Sequence, residues 1–336
     1  MRSRSLRSTG SVPVLACLLL LAAACSVDDE PAPPPEEPAV AADGACATTP
    51  PVDPAPPGGR ELVYTSYRPG SADLWLMRPD GTGRVPLTSG PAAELMPAWS
   101  PDGTRVAFAC AETEDAQTDL YVMDADGTGR VALTATDELC EASPRWAPEG
   151  DRLYLTRGEC GGAQGIWTLD LDDGATEEVV PLGGWPDVAA DGRLLYDKVV
   201  GPDSWLLTTL WTADPDGGGA AELGPDGTPA AYEASWSPDG SRIAFVAPMG
   251  DVESEDVPEW NEEVFVMRSD GTAVRRLTRT PGNDHWPPAW SPDGRWLVYS
   301  ADGIANRGRL VRIDVATGKS VTLTRGPGSA LFADWR

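Results

Sequence analysis

A five-residue phrase, Trp-x-Pro-Asp/Glu-Gly, recurs along this chain and constrains its fold more than any other feature. Its four copies begin at Trp99, Trp146, Trp236 and Trp290, and a degraded copy fills residues 188–192. A last tryptophan, Trp335, continues the series, and successive members lie 42–54 residues apart. A period of this size indicates an array of supersecondary units, none of which can bury its apolar faces alone.

Each unit has the pattern of four short β-strands. After the strand that carries Trp99, runs of strand length occur at 106–110, 119–123 and 131–134. Pro-Asp-Gly is the chemistry of a tight turn, because proline sets φ at the first corner and glycine accepts a positive φ. The units show no helical periodicity. Four strands in about 45 residues is typical of one blade of a β-propeller.

The two ends of the chain together supply one complete unit. The first unit, residues 62–88, lacks the tryptophan-bearing strand, and the run that ends at Trp335 is such a strand with no unit after it. We therefore predict an all-β, six-bladed β-propeller of four-stranded blades, in which Phe332–Arg336 pairs into the first blade and closes the ring. Closure removes open edge strands that promote aggregation, and we expect the propeller to be a monomer.

The recurring phrases resemble those of a known family. Trp-Ser-Pro-Asp-Gly and the run Leu-Tyr-Val-Met-Asp-x-Asp-Gly at 120–127 are similar to the TolB-like propellers of the Tol system and to their WD-type Pro-Asp repeat relatives. The resemblance covers roughly residues 58–336. It implies the propeller fold and protein–protein interaction in a cell-envelope complex. It implies no activity, because unrelated proteins are built on the same repeat.

The first 24 residues have the features of an export signal. Three arginines precede an uncharged, mostly apolar run at 12–24, which is shorter than the roughly 18–20 residues of a membrane-spanning helix. Small residues before Cys25 resemble a bacterial lipobox, although Leu21 lies one position farther from the cysteine than is usual. This resemblance implies a lipoprotein signal peptide over 1–24 with Cys25 as the lipidated residue. An ordinary secretory peptide is the alternative.

Residues 25–57 are rich in proline and acids and show no apolar periodicity. Such a segment cannot bury a core, so we predict an extended tether between the membrane and a propeller domain at 58–336. The protein would then be held at the extracytoplasmic face of a bacterial membrane.

Three cysteines lie in the repeats and one in the tether. Because an exported chain favours disulfides, we expect Cys140 to pair with Cys110 or with Cys160. Cys110 is preferred, since a loop of about 30 residues is worth about 3–4 kcal/mol in the chain-entropy model. Cys160 would then be free or paired with Cys46. The cysteine spacing resembles no zinc motif.

Charge and residue inventory argue against several classes of function. The formal net charge is −26 at pH 7, so the chain lacks the basic surface that nucleic-acid binding requires. His285 is the only histidine, and neither a Gly-x-Ser-x-Gly elbow nor a phosphate-binding Gly-x-x-x-x-Gly-Lys loop occurs. Our main hypothesis is a non-enzymatic binding module. The alternative is a hydrolase or lyase acting at the central channel.

An acid-rich loop in the fifth unit is the best candidate binding site. It extends from Met249 to Glu263, and acids at the entries of other units should lie on the same face of the propeller. The candidate partner-binding residues are Asp251, Glu253, Glu255, Asp256, Trp260, Glu94, Glu141, Asp284 and His285. Carboxylates around a tryptophan favour a basic envelope protein as partner. A solvated loop is one alternative, and a Ca²⁺ site without EF-hand spacing is another; no other cofactor is expected.

Overall fold

The computed structural model describes residues 45–48, 61–68, 70–113, 116–199, 208–224, 231–248, 262–279, 285–301, 308–326 and 328–336. These residues form 24 β-strands and one short helix, α1 (Ala45–Thr48). Within these ranges, no helix is long and apolar enough to cross a membrane.

The strands form six four-stranded antiparallel blades, and a single parallel bridge between Ala72 and Ala93 joins the first two into one eight-stranded sheet. Blade 1 contains β1 (Leu62–Arg68), β2 (Ser71–Met77), β3 (Val85–Pro86) and the last strand of the chain, β24 (Ser329–Trp335). Blade 2 contains β4 (Ala93–Trp99), β5 (Arg105–Ala111), β6 (Thr118–Asp124) and β7 (Val131–Ala132). Blade 3 contains β8 (Leu139–Trp146), β9 (Arg152–Glu159), β10 (Gln164–Asp170) and β11 (Thr176–Val180).

The remaining three blades follow the same order along the chain. Blade 4 contains β12 (Gly183–Val188), β13 (Leu194–Val199), β14 (Thr208–Ala213) and β15 (Ala221–Leu223). Blade 5 contains β16 (Tyr232–Trp236), β17 (Arg242–Pro248), β18 (Glu262–Arg268) and β19 (Arg275–Arg276). Blade 6 contains β20 (His285–Trp290), β21 (Trp296–Ala301), β22 (Arg309–Asp314) and β23 (Ser320–Thr322).

The C-terminal strand closes the ring. β24 pairs antiparallel with β1, with Trp335 opposite Leu62 and Ser329 opposite Tyr67. The innermost strands contact one another in the order β24, β4, β8, β12, β16 and β20, and β20 packs in turn against β24. The predicted six-bladed propeller and its closure by the chain end are confirmed. The closing strand begins three residues earlier than predicted.

The tryptophans of the repeated phrase pack between blades. Trp146 of blade 3 donates its indole N–H to the Ala98 carbonyl of blade 2 at 3.1 Å. Arg105 of blade 2 stacks 4.6 Å from the Trp146 ring centre and donates to the Gly150 carbonyl. The same stack recurs as Arg193 on Trp236, Arg242 on Trp290 and Arg336 on Trp99. Each cation–π contact contributes roughly 0.5–2 kcal/mol, so these stacks join neighbouring blades.

Many of the acids are used to build turns. Asp102 accepts hydrogen bonds from the Ser100 hydroxyl and from both the hydroxyl and the backbone N–H of Thr104. These bonds lower the pKa of Asp102 to about 2. Asp239 has the equivalent bonds and a pKa lowered to about 2. Part of the strong negative charge therefore reflects turn chemistry.

The helix α1 docks part of the predicted tether on blade 2. Cys46 is 1% exposed and forms a disulfide with Cys110 of β5. The Glu112 carboxylate accepts the backbone N–H groups of Ala45 and Cys46, and Arg130 donates to the Cys46 carbonyl. The segment at 45–48 thus differs from the extended tether expected for residues 25–57, because a disulfide, an acid and an arginine hold it in place.

The preferred disulfide, Cys110 with Cys140, is wrong. The structure instead pairs Cys46 with Cys110 and Cys140 with Cys160. Cys140 lies on β8 directly opposite Gly158 of β9, so Cys160, just past the end of β9, is its neighbour across one hairpin. Because β8 already begins at Leu139, Cys140 lies within a strand and not in the connection between blades.

Candidate functional site

The two sides of the propeller differ in their connections. We call the side at which β13 ends and β18 begins the loop face, and the opposite side, which carries the Pro-Asp-Gly turns, the turn face. Six predicted loop-face residues lie outside the described residues: Asp251, Glu253, Glu255, Asp256, Trp260 and Asp284. His285 begins β20, where its backbone pairs with Ala301.

The acid-rich loop is shorter than the sequence suggested. β18 begins at Glu262, so the last two acids of the predicted loop belong to a strand. Glu263 is fully buried, and its carboxylate pairs with Arg276 at 2.5 Å and accepts the Thr278 hydroxyl. These two glutamates are structural, and the candidate loop ends at residue 261.

Glu94 is a buried structural residue. It is the second residue of β4, the innermost strand of blade 2, and is 1% exposed. Its carboxylate pairs with Arg130 at 2.5 Å and accepts the Thr88 hydroxyl from the end of blade 1. The prediction that Glu94 contacts a partner is therefore wrong, because its oxygens already join two blades.

Glu141 repeats this arrangement between blades 2 and 3. It lies five residues before Trp146, as Glu94 lies five before Trp99. It is fully buried, 3.4 Å from the Arg157 guanidinium, and accepts the Thr134 hydroxyl. Burial raises the pKa of Glu141 to about 7, although its hydrogen bond to Thr134 and the charge of Arg157 oppose the shift. Its prediction as a partner-binding residue is also wrong.

A layer of side chains lies at the propeller axis. All six innermost strands have a β-bulge about three residues before the tryptophan position, and in five of them a residue there has a φ of 50–52°. We call these residues the axial layer: Met96, Ser143, Trp185, Glu233 and Phe332. Trp185 of blade 4 stacks on Phe332 of blade 1 with ring centres 6.0 Å apart. Because blades 1 and 4 are opposite in a six-bladed ring, this stack crosses the axis.

Two residues with buried carboxyl groups, Asp197 and Glu233, are in contact between blades 4 and 5. Asp197 Oδ2 accepts the backbone N–H of Glu233 at 2.7 Å, and the two residues are 5% and 8% exposed. Within the described ranges, Asp197 Oδ1 and Glu233 Oε2 are buried without a hydrogen-bond partner. Burial raises the pKa of both carboxyls well above the usual range, and the charges of Glu262 and Asp197 raise that of Glu233 further.

Sequence reasoning missed this pair, although one signal was available. Glu233 lies three residues before Trp236, where the copies at Trp99, Trp146 and Trp335 have methionine, serine and phenylalanine. An acid among these residue types is an exception that an alignment of the repeats would have shown. In the part of the chain that the structure describes, no group of three or more histidine, cysteine or acidic side chains is arranged to hold a metal ion.

The ring of blades is closed, tryptophans stack between neighbouring blades, and an aromatic pair stacks across the axis. These features define a six-bladed β-propeller. The model of the PD40 family, described as the TolB beta propeller domain, matches residues 46–199. The solved structure of TolB from Acinetobacter baumannii has a TM-score of 0.69 at 21% identity, over 82% of this chain and 66% of that one. Residues 46–199 thus match the TolB propeller family, and the chain shares the TolB propeller fold, as the repeats predicted.

The similar proteins include one named as a TolB homolog and others named as peptidases. The "Protein TolB homolog" of Chlorobium luteolum is 38% identical over 66 residues, which is 20% of this chain and 15% of the relative. Dipeptidyl-peptidase 5 of Porphyromonas gingivalis is 27% identical over 290 residues, which is 78% of this chain and 39% of the relative. This chain therefore spans less than two fifths of the length of either relative.

Proposed function

We propose that this chain is a non-enzymatic binding module of the bacterial cell envelope that presents its loop face to a basic envelope protein. The observation that supports this most is the stack of Trp185 on Phe332. It occupies the axis, where a reaction at the central channel would need room for a substrate. A rigid propeller with variable loops on one side is a common scaffold for binding.

The proposal includes a lipid anchor at Cys25. The disulfide from Cys46 to Cys110 attaches the tether to blade 2, and disulfides are typical of exported proteins. The free part of the tether would then be residues 26–44, which at about 3.1 Å per residue reach about 60 Å when extended. The propeller would stay within this distance of the membrane.

Replacing Cys25 tests whether this residue anchors the protein to the membrane. We expect Cys25→Ser to move the protein from the membrane fraction to the soluble fraction of the producing cell, because the acyl chains supply the membrane affinity. Cell fractionation and immunoblotting measure the change, with a Ser26→Ala variant as the matched control. Wild-type protein that is already soluble after export would rule out the anchor.

The similarity to dipeptidyl-peptidase 5 favours a second candidate function, a hydrolase or lyase. The matched region is 78% of this chain but only 39% of that peptidase. Sharing a propeller does not by itself transfer an activity. Turnover of peptide or oligosaccharide substrates by the purified chain would favour this second function over the proposed one.

Capture of the partner tests the proposed binding face. A loop variant carrying Glu253→Ala, Glu255→Ala, Asp256→Ala and Trp260→Ala should recover at least about tenfold less of the cross-linked envelope protein, because aromatic anchors and charge complementarity dominate such interfaces. Capture by the wild type should weaken as salt rises. Quantitative mass spectrometry after cross-linking in native membranes measures both effects.

A turn-face variant provides the matched control for the loss of three negative charges. Glu149, Asp151 and Asp172 of blade 3 are exposed, and their replacement by alanine should leave capture unchanged. Both variants should melt like the wild type. Equal capture by the loop variant and the wild type would contradict the proposed face.

A further inference from the structure

In three of the blades an arginine pairs with a buried glutamate. Glu94, Glu141 and Glu263 pair with Arg130, Arg157 and Arg276. A guanidinium near a buried acid offsets the large desolvation penalty of the charge. This recurrence shows how the fold normally accommodates an acid between blades.

Asp197 and Glu233 depart from this pattern. The oxygens Asp197 Oδ1 and Glu233 Oε2 are buried without a partner in the described part of the chain, and no cationic side chain lowers the pKa of either group. Lys198 follows Asp197 but stacks on Trp211, with its Nζ atom 4.7 Å from the ring centre. Successive side chains of a strand point to opposite faces, so this lysine lies on the other side of β13.

Neither carboxylate is needed to build the blade contact. In blade 3, Thr156 Oγ1 accepts the backbone N–H of Trp185 at 3.0 Å. Asp197 does the same for the backbone N–H of Glu233 one blade later. A hydroxyl therefore suffices at the position of Asp197, and the axial layer has methionine, serine, tryptophan or phenylalanine at the position of Glu233.

The pair lies close to the loop face. β13 ends at Val199, two residues beyond Asp197, which corresponds to about 7 Å along a strand. Val199 is 41% exposed and Leu182 is 53% exposed, and the pairing of Gly183 with Lys198 puts these two apolar side chains on adjacent strand ends. Two exposed apolar side chains therefore lie at the loop-face end of the strand that carries Asp197.

We propose that Asp197 and Glu233 form a receptor site for one arginine side chain of the basic partner, which enters from the loop face past Leu182 and Val199. This inference rests on the proposed function, because it specifies which group of the partner is recognised. Guanidinium is favoured because three other buried glutamates of this fold pair with guanidinium groups. Its planar set of donors can also serve two carboxylates at once.

A small guanidinium salt tests the site without a partner. We expect millimolar N-ethylguanidinium chloride near neutral pH to raise the melting temperature of the full chain by roughly 2–4 °C over equal KCl, because it binds only the folded state. The double variant Asp197→Thr/Glu233→Met copies the residues of sister blades, Thr156 and Met96. It should show no such rise, and it should melt above the wild type because the unpaired acids are gone.

Three results would overturn the site: no rise in the wild type, an equal rise in the double variant, or a rise with CaCl₂ but none with the guanidinium salt. Partner capture separates this inference from the proposed function. The double variant should capture less of the envelope partner, and undiminished capture overturns arginine insertion while the binding function stands. If the wild type captures no envelope protein, the proposed function fails, whereas a guanidinium-specific thermal shift still supports the site.

Discussion

Deletion of residues 330–336 should lower the melting temperature by roughly 15 °C or more, or prevent folding, because the lost contacts are comparable to the whole stability of a domain. Leu331 and Phe332 of β24 are buried, and burial of such side chains is worth about 2–5 kcal/mol each. Differential scanning calorimetry measures the change. The deletion also removes six of the seven residues of β24, which leaves only the Ser329 end of its pairing with β1 and opens the ring.

The closing strand also holds the next blade. Asp334 Oδ2 accepts the backbone N–H of Trp99 at 2.7 Å, and the Arg336 guanidinium stacks 4.1 Å from the Trp99 ring centre. Phe332 supplies one half of the axial stack with Trp185. Loss of the strand therefore weakens blades 1, 2 and 4 together.

Removal of seven tether residues, 26–32, is the control of equal length, and we expect it to leave the melting temperature unchanged. A protein without residues 330–336 that melts within a few degrees of the full chain would contradict closure by the chain end.

Stability should fall as the pH rises from about 5 to about 8, which is opposite to ordinary acid denaturation. Burial raises the pKa of Glu141 from 4.5 to about 7 and that of Asp187 from 3.8 to about 6, and it raises those of Asp197 and Glu233 well above the usual range. A raised pKa means that the folded state keeps a proton that the unfolded chain has released. The associated stability is complete below the unfolded pKa and disappears as the pH rises through the folded pKa.

The shift at Glu141 alone corresponds to about 3 kcal/mol, at about 1.4 kcal/mol for each pKa unit. Urea unfolding at a series of pH values measures the effect. The variant Asp197→Thr/Glu233→Met should have a flatter profile, because two of the raised groups are absent. A wild-type free energy of unfolding that increases steadily between these pH values would contradict the account.

The repeat made the fold predictable. The phrase at Trp99, Trp146, Trp236 and Trp290 marks one strand of each blade, and the surplus strand at Trp335 identifies the closure. These features are local or periodic, so one sequence suffices to read them. The stacking of tryptophans between blades followed from the same regularity.

The site was less predictable, because it depends on contacts between distant segments. Spacing favoured Cys110 with Cys140, whereas the hairpin of β8 and β9 brings Cys140 to Cys160, and α1 brings Cys46 to Cys110. From the sequence alone Glu94 resembled a surface acid, because the arginine that pairs with it lies 36 residues away in sequence. The burial of Asp197 and Glu233 likewise results from packing between two blades.

Site-specific photo-crosslinking tests the central claim, binding through the loop face, most directly. A photoreactive amino acid would replace exposed Leu182 on the loop face or exposed Lys319 on the turn face, and each protein would be irradiated in native membranes. The account predicts a discrete cross-linked envelope protein from position 182, diminished at high salt, and none from position 319. Cross-linking of an envelope protein to position 319 but not to position 182 would contradict binding through the loop face.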